Sequence, residues 1–75
     1  CSTEQGIDIL KKNMNKLKEW KNLFEFIPNK FKESINLKRT GAAGIFSAAL
    51  ELSREGSITI MQKKSFDKLL IKEKK

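Results

Sequence analysis

Gly56 divides this sequence into two periodicities, and that division limits what the chain can fold into. Before it, apolar residues recur at helical spacing. After it, they alternate. Ile7, Leu10, Met14 and Leu17 step by three, four and three, which marks one face of an amphipathic helix over about residues 3–19. Ser2 or Thr3 is placed to cap that helix, with Glu4 near the positive end of its dipole. Thr40 reads as the N-cap of a longer helix ending at Glu55, with Gly56 as the glycine just past its end. Residues 57–62 then alternate, with Ile58 and Ile60 on one face. Lys63-Lys64-Ser65 is a polar turn, and residues 66–71 alternate again with Leu69 and Ile71 together. That pattern is a β-hairpin. Residues 72–75 read as a charged, frayed end.

Between the two helical stretches, Trp20, Leu23, Phe24, Phe26 and Ile27 crowd the approach to Pro28. A short helix ending before the proline fits, with Trp20 and Phe24 facing the same way and the cluster forming core. A stacking platform for single-stranded nucleic acid would instead interleave aromatic and basic residues on strands. Residues 29–39 read as a connection anchored by Phe31, Ile35 and Leu37, with a short extended piece at 35–37. At 75 residues the chain is one small domain, residues 1–75. The order helix, short helix, longer helix, hairpin predicts an α+β fold, mostly α: a winged helix-turn-helix whose wing is the two-stranded hairpin.

The longer helix is apolar over too much of its circumference. At 100° per residue, Ala42, Ile45, Ala48, Ala49 and Leu52 form one face, and Ala43, Phe46 and Leu50 extend it further round. Gly44, Ser47, Glu51, Arg54 and Glu55 make up the polar side. The apolar arc spans roughly 220°, against roughly 100° for a helix facing a single core. Either another element of the chain covers Phe46 and Leu50, or a partner does.

Composition excludes several function classes. The chain has no His and no Tyr, and its one Cys, Cys1, has no residue beside it to activate a thiolate. A catalytic base and a His/Cys zinc site are therefore not expected, and neither an enzyme nor a cofactor is. Gly41-Ala-Ala-Gly44 resembles a backbone clamp for RNA but lies within a helical pattern, where close packing is the expected role. No apolar run approaches the roughly 18–20 residues of a membrane span. Cys1 in place of Met marks a fragment or a processed product, and a mature lipoprotein also begins this way.

The net charge is +7, and it is unevenly placed. Residues 41–60 carry one basic and two acidic side chains, whereas residues 61–75 carry six basic and two acidic. Lys63 and Lys64 on the wing are candidates for nonspecific phosphate contact, which positions a protein on DNA without specifying sequence. A recognition helix needs Arg, Lys, Asn or Gln on its exposed face. Here that face holds Ser47, Glu51 and Glu55 with a single Arg54, which disfavours sequence-specific readout.

The run from Ile45 through Leu52, Gly56 and the alternating Ile58-Thr-Ile60-Met-Gln62 to Phe66 and Leu69 resembles a known family. It is similar to the C-terminal domain of the bacterial kleisins, the segregation and condensation protein A (ScpA) family. The signature there is F-x-A-x-L-E-L, a Gly, a strand ending in Gln, then Phe and a closing strand. Trp20-x-x-Leu23-x-x-Phe26-Ile27-Pro28 and Arg39-Thr40-Gly41-Ala42 look like its alphaproteobacterial members. The resemblance spans about residues 8–71. It implies a winged-helix domain, without catalysis or cofactor, that docks on the ATPase head of an SMC protein in chromosome condensation and segregation. It further implies ScpB bound through kleisin regions outside this chain, DNA contacted indirectly through the complex, no membrane, and a cytoplasmic, nucleoid-associated location. The positions matching the family's head contacts are Phe46, Leu50 and Gln62. The alternative from a different class is a small winged-helix DNA-binding protein using its Lys-rich wing and tail.

Overall fold

The computed structural model describes residues 2–62, 64 and 68–74. Ser2 starts the first helix, α1 (Thr3–Lys12), with a reciprocal cap. Its hydroxyl accepts from the Gln5 N–H at 3.1 Å, and its own N–H donates to Gln5 Oε1 at 2.9 Å. At the other end the Asn13 side chain donates to the Ile9 carbonyl at 2.7 Å, and α1 stops there. The predicted single helix over 3–19 is thus two pieces: α1, then a 3-10 segment at Met14–Lys18. Asn13 breaks it by satisfying a helix carbonyl with its own amide. The apolar stripe survives the break, because Leu10 and Leu17 are both fully buried.

The short helix expected before Pro28 is a 3-10 helix at Leu23–Phe26, and it starts only after Trp20. Lys21–Asn22 form a short strand, β1, followed by 3-10 turns at Leu23–Phe26 and Asn29–Phe31. Asn22 caps the first turn, its Oδ1 accepting from the Phe24 N–H at 3.1 Å. Trp20 and Phe24 therefore do not share a helix face, and Trp20 stays 38% exposed rather than entering the core.

The second helix, α2, runs Ile35–Arg54. Its N-cap is Ser34, whose hydroxyl accepts from the Leu37 N–H at 3.1 Å. The extended piece expected at 35–37 is helical, and Thr40 lies inside the helix with its hydroxyl donating to the Asn36 carbonyl at 3.0 Å. Gly56 terminates the turn after α2 with φ 84°, the left-handed conformation that glycine adopts without strain.

Two further strands, β2 (Ile58–Met61) and β3 (Leu70–Glu73), pair antiparallel, with Ile60 opposite Ile71 and Thr59 opposite Lys72. Lys68 and Leu69 of the expected second strand precede β3, Ser65, Phe66 and Asp67 lie outside the described residues, and β3 takes in Lys72 and Glu73, assigned above to a frayed end. The ladder holds them there and extends past them, since the Lys74 N–H donates to the Ser57 carbonyl at 3.0 Å. Nor is the sheet two-stranded. β1 pairs with the other edge of β3, with Lys21 opposite Ile71, and the order is β1-β3-β2. The fold is mostly helical with a small antiparallel sheet, an α+β arrangement.

The core lies where α1, α2 and the inner sheet face meet. Leu10, Leu17, Leu23, Ile45, Leu52, Ile58 and Ile71 are its largest fully buried side chains. Gly6 and Gly44 are both buried at the α1–α2 contact. Gly44 therefore belongs to the packed side of α2, not to the polar side. The helical wheel places it with Ser47 and Glu51, but α1 comes close enough to bury it.

Candidate functional site

Two sides of α2 differ sharply. Ile45, Ala48, Ala49 and Leu52 are fully buried. Phe46 and Leu50, one turn apart, are 39% and 50% exposed. Their i, i+4 spacing stacks them on one side of the helix. No element among the described residues buries them, and the excess apolar arc read from the sequence is this pair.

Charge frames the pair. Arg54 Nη2 donates to both Glu51 carboxylate oxygens at 2.8 Å, one turn along the helix. That hydrogen bond holds the Glu51 carboxyl below its usual range and raises Arg54 above its own. The two charges thus neutralise each other beside Leu50, and the apolar patch has a polar rim.

The other candidate residues stand on different elements. Gln62 is exposed directly after β2, and Lys64 is exposed in the connection from β2 to β3. Lys63 and Phe66 lie outside the described residues. Phe46 and Leu50 are brought together by one helix turn, while Gln62 stands on a separate element, past the end of β2.

Two further apolar side chains are exposed that the sequence pattern does not single out as surface. Ile35 is 64% exposed and Leu37 38% exposed, both in the first turn of α2. Ile35 lies three turns, about 16 Å, before Phe46 and within about 20° of it on the wheel. The same wheel finds it once the helix is started at Ser34 rather than at Thr40.

Among the described residues no group of three or more His, Cys, Asp or Glu side chains is placed to hold a metal ion. No helix of the described residues is long and apolar enough to cross a membrane. A surface groove of about 310 Å³ beside α1 is lined by Asp8, Ile9, Lys12, Pro28 and Phe31 among others, a mixed lining with no convergent chemistry. No protein-family model matches the sequence, and no curated protein matches it.

Proposed function

We propose that this domain is a protein-protein docking module that presents Phe46 and Leu50 to a partner, and that the partner is the ATPase head of an SMC protein. The observation that carries the reading is the exposed pair on α2, adjoining the fully buried face of the same helix. Burying the part of each side chain that is still exposed contributes about 0.7–1.5 kcal/mol, and apolar anchors at an interface centre dominate its energy. Gln62, exposed past the end of β2, would add a polar contact from the strand end.

The finer fold in this reading is a winged helix. It is supported by helices that precede a hairpin, and by an upstream strand, β1, that joins the hairpin's second strand. The similarity of residues 45–69 to the kleisin pattern supports the choice of partner. In this reading the domain acts without catalysis, as the head-binding end of a kleisin whose other regions hold ScpB, within a cytoplasmic, nucleoid-associated complex.

The test is a calorimetric titration of the domain against the SMC head from the same genome, at low and at high salt. Binding that persists at high salt and is lost in Leu50→Arg is the expected result. Absence of binding to the head, with salt-sensitive binding to duplex DNA through Lys64 and its neighbours, would replace this reading with the DNA-binding one.

A further inference from the structure

The outer face of the sheet combines groups that the sequence keeps far apart. Thr59 of β2 lies opposite Lys72 of β3. Lys21 lies opposite Ile71, so the antiparallel register carries Trp20 to the position beside Lys72 on β3's other edge. The Lys72 ammonium sits 5.9 Å from the centroid of the Trp20 ring, which agrees with that register. Trp20, immediately before β1, thus forms one row with Lys72 of β3 and Thr59 of β2. Their neighbours Ile60 and Ile71 pair on the opposite face, where Ile71 is fully buried against the helices. Alternation along the strand puts Lys74 on the same side as Lys72. A surface groove here is lined by Lys18, Thr59, Lys72, Glu73 and Lys74.

We propose that this face binds single-stranded nucleic acid, with Trp20 stacking on a base and Lys72 and Lys74 contacting the backbone phosphates. The chemistry is an aromatic surface interleaved with cations on strands, which receives bases through their π-faces and the backbone through charge. Among the described residues, Glu73 and Glu19 are carboxylates near the row, and both are paired with lysines. Glu73 meets Lys18 at 3.5 Å, and Glu19 meets Lys21 at 4.0 Å. With those pairs neutral, Lys72 and Lys74 set the sign of the surface. Duplex DNA hides its base faces within the stack, so the exposed ring favours a single strand. This surface is separate from Phe46 and Leu50, and the inference stands whether or not the proposed docking holds.

The test is fluorescence titration of the intact chain with a 12-nucleotide oligothymidylate, in parallel with a duplex of the same length. The chain has one Trp and no Tyr, so its emission reports on Trp20 alone. The expected result is quenching on binding, weaker binding to the duplex, and affinity that falls as salt rises. Lys72→Glu is expected to lower affinity tenfold or more, against less than threefold for Lys12→Glu, which lies on the groove beside α1. Trp20→Ala, which removes the fluorophore and is therefore read beside the wild type by anisotropy of a dye-labelled oligothymidylate, is expected to lower affinity about fivefold or more at fixed salt. Circular dichroism of each variant establishes that it is folded. Lys72→Glu, at an intermediate-exposure site, carries the test if Trp20→Ala unfolds. Absence of quenching, equal or tighter binding to the duplex, or equal losses in Lys72→Glu and Lys12→Glu would each overturn the proposal.

Discussion

Gly6 of α1 rests against Gly44 and Ala48 of α2: a Cβ at Gly6 would lie 2.7 Å from both the Gly44 carbonyl oxygen and the Ala48 Cβ. Neither neighbour is the far end of a flexible side chain. The contact therefore sets how closely the two helices approach, and with it how much of α2 remains for other partners.

Gly6→Ala tests that contact. Alanine favours a helix interior over glycine by about 0.5–1 kcal/mol. The clash with backbone and Cβ costs about 1–3 kcal/mol or more. A net loss of about 1–2 kcal/mol is expected in urea denaturation. A gain in stability would mean that the helices can separate freely at this point. Gly56→Ala is the contrasting case. Nothing lies within 4 Å of its would-be Cβ, so only the φ of 84° opposes it, at about 1–2 kcal/mol.

The two sides of α2 should respond differently to substitution. Leu52 is fully buried, and Leu52→Ala should cost about 2–5 kcal/mol. Leu50 is half exposed, and Leu50→Arg should shift stability by no more than about 0.5 kcal/mol while removing docking. Thermal melts of both variants beside the binding titration check this. Unfolding of Leu50→Arg would assign that residue to the core.

The start of α2 gives a third expectation. Ser34→Ala removes the cap on the Leu37 N–H and should cost about 1 kcal/mol. Thr40→Ala removes a hydroxyl that only bonds back to the Asn36 carbonyl, and it should be neutral or slightly stabilising. Helicity by circular dichroism should fall in the first variant and hold in the second. The reverse order would place the cap at Thr40.

The Glu51–Arg54 pair has a pH signature. The hydrogen bond from Arg54 lowers the Glu51 pKa in the folded chain. A lowered folded-state pKa means that the pair's contribution is complete above the ordinary Glu value. It is lost as pH falls through the lowered one. Arg54 is exposed and Glu51 half-exposed, so solvent screens the pair and its contribution to overall stability is small. Carbon-13 NMR titration of the Glu51 carboxyl should show the lowered pKa, and Arg54→Ala should return it to the usual range.

What is legible in the sequence is what burial has patterned. Leu10 and Leu17, Ile45 and Leu52, and the pair Ile58 and Ile60 all carry the spacing of their element, and the excess apolar arc on α2 singles out Phe46 and Leu50. The first turns of α2 carry no such mark because residues 35–40 are all exposed. No core acts on them, so no apolar period reveals them, and once Ser34 caps the helix each further residue costs little to add. β1 is hidden for a different reason. Two residues hold no period, and Lys21 and Asn22 are a strand only because β3 lies beside them. Gly44 falls on the wrong side of a helical wheel because a wheel records angle and not which neighbour comes close. The Trp20–Lys72 row is out of reach for the same reason as β1.

The strand order β1-β3-β2 has a consequence for when the protein can fold. Lys21 waits for Ile71, fifty positions further along, and β2 waits for the same strand. A ribosome making this chain releases α1, α2 and two of the three strands before the one they share. Until then the inner side chains of β1 and β2 have no sheet to join, and the helices have no floor. Assembly of this domain is therefore completed only once β3 has emerged, and in one closing step. A nascent chain halted before β3 would remain exposed to proteases and chaperones, however well its helices had formed.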